Sequence, residues 1–337
     1  MNKNEEQQIF KEGSTTFYFS SRFFPKTVRD DVFKLYSFVR VSDDYVDEKP
    51  TQPAKLLALE KAYSQALEDP QFEHITHEWD ERDERVLKNI VALTHKYKFD
   101  PEWVRAFFKA MKSDIKHQKK KTLQESLDYV YGSAEVIGLM MVKIMGVDDP
   151  EAVWQRLEIE KARKDQSRIK GRVTKLKYKI KHKFGSVTKE QKESVQKEID
   201  LIHETAKLQG RAMQWINFIR DIKEDNEMNR QYLPTSELKK YNLADLSEKT
   251  ARKNEEKYKK YIQNEINRYK DWQTQAEAGF IFVPTRLRIP IQTAVDMFNW
   301  TAQQILDDPF VVFEKKVKPN KAQVLGAAAK RGGKIQK

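Results

Sequence analysis

Two short acidic patterns carry the most legible chemistry of this 337-residue chain. In LYSFVRVSDDYVDE, Asp43 and Asp47 are four residues apart. On a helix they project from one face, with Tyr36 and Arg40 on that same face and Asp44 beside it. In QWINFIRDIKEDNEMNRQYLP, Gln214, Asn217, Asp221 and Asp225 follow in steps of three, four and four and form a narrow polar stripe. Met213, Trp215, Ile216, Phe218, Ile219 and Ile222 fill most of the remaining circumference. A helix apolar on most sides is a buried one. Its polar stripe is then buried or lines a cavity, and ionised carboxylates there require a partner. A hard cation suits them: Mg²⁺ takes oxygen ligands and is typically held by one or two carboxylates together with substrate phosphates. A lone DxxxD is ordinarily a solvated helix face. Two of them, one embedded in apolar residues and each with an arginine alongside (Arg40, Arg220), point instead to a facing pair that binds a diphosphate through Mg²⁺, with Mn²⁺ as a substitute.

The elements that must position these stripes read as helical nearly throughout. Apolar residues from Val28 to Val41 behind Pro25 predict a long helix, ended by Lys49-Pro50 because proline cannot continue the ladder. Leu56 to Leu67, Val86 to Tyr97 and Pro101 to Ile115 predict three more, the last with a good start at Asp100-Pro101. Leu123 to Met145 is very apolar and contains Gly132 and Gly138, whose place in a helix implies close packing or room for a ligand. Gln155 to Asp200 differs: every second residue from Lys175 to Lys183 is lysine, which suits an extended edge, and 155–200 is expected to be a surface insertion, a hairpin or helical pair. Helices resume before Ile199 and run through Ile222, then from Leu246 to Gln275 and Pro290 to Leu306. The basic tail 319–337 is expected to be disordered. The fold class is therefore all-α, one domain over 1–318 built as a helical bundle around a central cavity.

Composition narrows the alternatives. With no Cys, disulfides, thiolate metal sites and a Cys nucleophile are excluded, and a reducing cytoplasm is the expected setting. The start MNKNEEQQIF lacks a basic-then-apolar signal pattern, and no run of ~18 apolar residues occurs, so membrane contact is expected to be peripheral only. A formal charge of +12 suits an anionic membrane, nucleic acid or a phosphorylated ligand. No DNA-binding motif is visible and no nucleic-acid partner is expected. His74 and His77 near Glu78 and Asp80 lie in a very polar segment and are expected to be solvated.

At these residues the chain resembles the squalene/phytoene synthase family. STTFYFSSRFFP resembles its N-terminal segment, LYSFVRVSDDYVD its first aspartate motif, YVYGSAEVIGLMM its glycine-containing central helix, and GRAMQWINFIRDIKEDNEMNRQYLP its second aspartate motif. The four occur in the family's order between Phe10 and about Lys318. The resemblance implies an isoprenoid synthase that joins two allylic diphosphates head to head through a cyclopropyl diphosphate. It implies that Asp43, Asp47, Asp221 and Asp225 hold Mg²⁺ and diphosphate, with Asn217 and Gln214 in support. Arg40, Arg220, Ser14 and Thr16 would meet diphosphate oxygens, with Asp44, Arg230 and Tyr232 adding substrate contacts. Phe17, Tyr36 and Tyr131 would line the hydrocarbon cavity, Tyr131 as a catalytic group. Phe298 stands where the family has a tyrosine. The 155–200 insertion is longer than the family's usual one. The expected reaction is phytoene formation from two geranylgeranyl diphosphates, without NADPH. The alternative is a C30 squalene or dehydrosqualene synthase using farnesyl diphosphate. SAEVIGLMM and INFIRDIKEDN favour the longer chain, and the absence of a C-terminal anchor argues against a eukaryotic-type squalene synthase. A reading of another class is a non-catalytic relative that assembles a respiratory complex. Such proteins commonly lose acidic motif residues, and here all four aspartates remain.

Overall fold

A computed structural model of the chain describes residues 4–48, 50–69, 79–116, 119–168 and 188–333. His74, His77 and the alternating lysines Lys175 to Lys183 fall outside them. All the described secondary structure is helical apart from one isolated bridge between Lys119 and Gln231. The order begins α1 (Asn4–Gly13), α2 (Thr15–Ser21), α3 (Lys26–Asp47), α4 (Pro53–Glu68), α5 (Glu81–Tyr97) and α6 (Pro101–Asp114). It continues with α7 (Leu123–Val130), a π-helical turn (Tyr131–Glu135), α8 (Val136–Met145), α9 (Pro150–Arg168) and α10 (Lys189–Arg220). Then come α11 (Ile222–Glu227), α12 (Thr235–Lys240), α13 (Glu248–Lys253), α14 (Glu255–Glu277), a 3₁₀ turn (Ala278–Phe282), α15 (Thr285–Asp307), α16 (Val311–Glu314) and α17 (Lys321–Gly333).

The two acidic motifs lie at the C-terminal ends of the long helices α3 and α10. α10 is the central element and packs against α14, α8, the π turn, α9 and α15, while α3 packs against α1, α5, α4, α6 and α8. The apolar residues flanking the second stripe are buried as their spacing requires: Trp215, Ile216, Phe218, Ile219 and Ile222 are all core. The predicted start of α6 is present, with the Asp100 side chain accepting from Glu102 N at 2.9 Å ahead of Pro101. Among the described residues no single helix is long and apolar enough to cross a membrane; the apolar run at α7–α8 is core.

Gly132 and Gly138 serve close packing. A β-carbon on Gly132 would lie 2.4 Å from Ala106 O of α6, and one on Gly138 2.5 Å from Ala206 O of α10. Both contacts are with backbone, which cannot swing aside. Gly138→Ala is therefore expected to push α8 off α10 and to lower stability by about 1–3 kcal/mol, measurable by denaturant unfolding.

The structure differs from the sequence reading in three places. The C-terminal end of the 155–200 segment is core: Val195 and Ile199 are buried with Val153, Trp154, Ile202 and Phe282 in a second apolar cluster, against which Leu157 packs half-buried. Residues 155–168 extend α9 and 189–200 open α10. Lysine density hid the sparse apolar positions that pay no regard to overall charge, only to the helical repeat. The expected disordered tail is largely the helix α17, which lies on α15 and α2 with Val324 and Ala328 buried and Arg331 paired to Asp296. Finally, α15 starts at Thr285, so Pro290 lies inside it. Its ring faces the interior cavity, where the missing N–H is tolerated at the cost of one ladder bond.

Candidate active site

The stripe faces of α3 and α10 look into one cleft with two adjoining chambers. The first is polar, about 470 Å³, and is lined by Asp43, Asp47, Arg40, Asn217, Arg220, Asp221, Glu224, Asp225, Arg230 and Lys316, among others. The second is apolar, about 320 Å³, with walls of Phe10, Phe24, Leu35, Ile137, Met141, Met145, Met213 and Phe280, among others. Phe17, Tyr36, Val39, Ser133, Gln214 and Asn217 line both and form the passage between them.

The first motif keeps its helical face. Tyr36 is stacked on Phe10 with ring centroids 3.7 Å apart, and Arg40 reaches Asp43 at 3.2 Å. Burial, then the neighbouring Asp47 charge, holds the Asp43 carboxyl well above the usual carboxylate range. The second motif is not one unbroken helix. α10 ends at Asp221 (φ −97°, ψ 15°), and α11 restarts at once, with Asp225 N donating to Asp221 O at 2.9 Å. The spacing survives the break, so Gln214, Asn217, Asp221 and Asp225 still share the cleft wall.

The four aspartates have unlike surroundings. Arg220 holds Asp221 through two hydrogen bonds, at 2.8 and 2.5 Å, and Lys316 adds an ion pair at 3.0 Å. Burial opposes that charge, but these cations outweigh it and Asp221 titrates below its ordinary value. Asp47 is paired with Arg230, which is 3% exposed and also donates to Val46 O at 2.8 Å. Asp225 has no salt bridge among the described residues, and burial together with Asp221 raises it far above the carboxylate range. Asn217 Oδ1 is buried without a hydrogen-bond partner. An all-oxygen donor set with an orphaned amide oxygen and crowded carboxylates suits Mg²⁺. No group of three or more acidic or histidine side chains among the described residues gathers closely enough to hold a metal by itself. A bound ion would therefore share its shell with a ligand's oxygens.

Of the other expected site residues, Ser14 and Thr16 line the polar chamber at the start of α2, where Ser14 caps the helix by accepting from Phe17 N at 3.2 Å. Tyr232 lines the same chamber. Phe298 meets Phe17 at 5.4 Å between ring centroids, so an apolar contact replaces the hydroxyl expected there. Two expectations fail. Tyr131 is 39% exposed and lines neither chamber. Tyr129 and Ser133 face the cleft instead, and Tyr131, two positions from each, falls on the opposite side of the helix. Asp44, about 100° round α3 from Asp43, is buried away from the cleft and clamped by Arg40 at 2.7 Å and Arg82 at 2.5 Å.

Sequence reasoning missed Asp114, Tyr129, Lys316 and Lys318. Asp114, at the end of α6, accepts hydrogen bonds from Tyr129 and Tyr232, each at 2.8 Å. It belongs to no motif, and only folding brings it behind the cleft. Lys316 and Lys318 lie in KKVKP, which merges in sequence with the basic tail. Burial pushes Asp114 up to about 6 from its ordinary 3.8, against the pull of Arg230 and the two tyrosine hydrogen bonds. A folded value above the unfolded one means that the fold binds this proton more tightly. Its charged form weakens the fold above about 6, and that loss is relieved as pH falls towards 3.8. The melting temperature of metal-free protein should thus rise more from pH ~7 to ~5 in the wild type than in Asp114→Asn. Asp221, with its lowered value, acts oppositely: its contribution is present above 3.8 and is lost as pH falls through the folded value.

An all-α bundle with two carboxylate stripes above an apolar chamber offers a polar and an apolar space within one site. The squalene/phytoene synthase family profile matches residues 10–323, and the chain belongs to that family, whose members are prenyltransferases. The phytoene synthase of Arthrospira platensis is 23% identical over 92% of this chain and 85% of its own. The 15-cis-phytoene synthase of Synechococcus elongatus is 21% identical over 93% and 86%. Among solved structures, a dehydrosqualene synthase in complex with ligand superposes with a TM-score of 0.70 at 16% identity, over 99% of this chain and 96% of that one. Squalene synthase HpnC from Alicyclobacillus acidocaldarius gives 0.63 at 16% identity, over 91% and 94%. These structural likenesses concern the fold.

Proposed function

We propose that this enzyme is a 15-cis-phytoene synthase that joins two geranylgeranyl diphosphates head to head. The observation that carries this reading is the pair of acidic stripes facing into a polar chamber that opens, past Phe17 and Tyr36, into an apolar one. The names of the curated relatives favour the C40 substrate over the C30 one.

The reaction balances without a redox partner. The first substrate loses diphosphate from its allylic carbon. The double bond of the second attacks that carbon, and loss of a proton leaves a cyclopropyl diphosphate. Its diphosphate leaves in turn, the ring rearranges, and a second proton is lost to give the triene core. Two diphosphates and two protons are released, and no hydride is needed, so NADPH is not required; squalene formation would need one. Asp43, Asp47, Asp221, Asp225 and Asn217 are the oxygen donors for Mg²⁺, which when bound neutralises charge on a leaving diphosphate. Arg40, Arg220, Lys316 and Lys318, which line the polar chamber, would donate charge-assisted hydrogen bonds to diphosphate oxygens, and Ser14 and Thr16 neutral ones. Phe17, Tyr36, Phe218 and Phe298 bound the space where cationic carbon develops. Their ring faces stabilise it by ~1–2 kcal/mol when dry, and the apolar walls exclude water that would quench it.

The test is incubation with Mg²⁺ and either farnesyl or geranylgeranyl diphosphate, with products identified by mass. A C40 triene-core product formed without NADPH supports the reading. Dehydrosqualene from farnesyl diphosphate, or squalene only with NADPH, overturns the substrate. No product from either overturns the activity.

A further inference from the structure

We propose that Arg82 of α5 is a positioning residue for the cleft, holding the Arg40 guanidinium in place through Asp44. Asp44 belongs to the first acidic motif but lines neither chamber, and it is 6% exposed. A carboxylate that deep needs a cation beside it. Asp44 has two. Arg40, four residues earlier on α3, meets Asp44 Oδ1 through Nη2 at 2.7 Å. Arg82, from a different helix, donates through its own Nη2 to Asp44 Oδ2 at 2.5 Å. The other arm of Arg40, Nη1, reaches Asp43 at 3.2 Å in the polar chamber. Charges thus alternate along Arg82, Asp44, Arg40 and Asp43, from outside the cleft to its wall.

The fold sets each link. A capping box fixes the first turn of α5: Asp80 accepts from Arg82 N at 2.9 Å and from Asp83 N at 3.0 Å, while Asp80 N donates to Asp83 at 3.2 Å. Asp83, 2% exposed, accepts from Tyr45 Oη and, at 2.6 Å, from Lys55 Nζ. Tyr45 follows Asp44 directly, so the same turn that carries Arg82 is docked beside its target. The consequence for Arg40 is electrostatic. Asp43, Asp44 and Asp47 all favour its charge against burial. With Arg82 in place, Asp44 is already neutralised and anchors only one arm of Arg40 from behind. Without it, an uncompensated buried carboxylate competes for the whole guanidinium and draws it away from the chamber. There, on the proposed function, Arg40 meets a diphosphate oxygen.

The test titrates substrate-free protein with Mg²⁺ and inorganic diphosphate by calorimetry, below the melting temperature of every variant. Arg82→Met is expected to weaken diphosphate binding about tenfold. Arg82→Lys should restore most of it, because Arg82 holds Asp44 through one nitrogen while its Nε is buried without a partner, so a fork is not required. Arg82→Met also strands Asp44, and the double variant Arg82→Met, Asp44→Leu separates the two effects. It removes the buried charge, so its melting temperature should return towards the wild-type value. Arg40 still lacks its rear anchor, so the affinity should stay about tenfold down. Lys55→Met is the control for helix docking alone. It breaks the neighbouring Asp83 contact and leaves Asp44 paired, so it should lower the melting temperature and keep diphosphate affinity within about twofold of wild type. Unchanged affinity in Arg82→Met overturns the proposal. So does a loss in Lys55→Met as large as in Arg82→Met, which would make the contact an ordinary tie between helices, and so does a wild type that binds no diphosphate. Because no isoprenoid substrate is present, absence of product in the synthase assay would remove the proposed reaction and leave this binding hierarchy standing.

Discussion

Asp43→Asn and Asp225→Asn are each expected to lower kcat by about 100-fold or more while leaving metal-free protein at least as stable as the wild type. Asn keeps the shape and removes the charge. On the proposed function, what is lost is a hard anionic ligand, and with it transition-state stabilisation of a departing diphosphate. In the metal-free cleft the same charges are a burden: burial and the neighbouring aspartates raise both carboxyls, so removing one relieves repulsion. Asp221→Asn should lose activity similarly but differ in stability. Arg220 and Lys316 both rest on that carboxylate, and its removal leaves a largely buried guanidinium without its nearest anion. A loss of about 1–3 kcal/mol is expected. Melting curves separate the cases. Mg²⁺ with inorganic diphosphate should raise the wild-type melting temperature through linkage and raise that of all three variants much less. A full shift in Asp43→Asn and Asp225→Asn, together with near-normal kcat, would show that these stripes are ordinary polar helix faces.

The contrast between Asp221 and Asp225 also marks what sequence can carry. Spacing places both on one stripe, and the structure keeps them there across a helix break that spacing cannot reveal. The stripes were legible because a 3.6-residue repeat converts positions in sequence directly into a face, and because Trp215, Ile216 and Ile219 announce burial of everything around them. The all-helical class followed from the same repeat. What stayed hidden depends on contacts between distant segments. Asp114 meets Tyr232 across 118 positions, and Lys316 reaches Asp221 from beyond α16. No local pattern encodes such a meeting. Tyr131 failed for a different reason: the motif resemblance supplied a residue type, but only helix phase decides whether Tyr129 or Tyr131 faces the cleft. The tail was misjudged because Lys, Arg, Gly and Ala dominate it, while Val324 and Ala328, which anchor it, are few.

Arg230 makes the strongest case for a residue whose value lies in joining the two motifs. It follows the second stripe in sequence, yet its guanidinium holds Asp47 of the first and donates to Val46 O at the end of α3. It also faces Asp114 and Asp225, and it is the charge that pulls both carboxyls down against burial. Its own pKa is raised: burial opposes the charge, but Tyr232, Asp47 and Asp114 outweigh it. Arg230→Met fills much of the same volume and removes the cation, leaving Asp47, Asp114 and Asp225 to face one another with no buried positive charge between them. Breaking a buried pair from one side costs about 3–5 kcal/mol, so the melting temperature should fall by roughly 4–7 °C. Activity should fall by about 100-fold or more, because Asp47 and Asp225 would no longer be held at a fixed separation. Arg230→Lys should recover part of the stability but little of the turnover, since one ammonium cannot serve Asp47 and Val46 O in the same fork geometry. Two further measurements discriminate. The double variant Arg230→Met, Asp47→Asn should be more stable than Arg230→Met alone, because the second change removes the stranded charge. Raising Mg²⁺ with inorganic diphosphate should restore more stability to Arg230→Met than to the wild type, since a bound cation takes over neutralisation of the same carboxylates. A Met variant that melts within about 1 °C of wild type and turns over normally would mean that the cleft's carboxylates do not depend on this bridge.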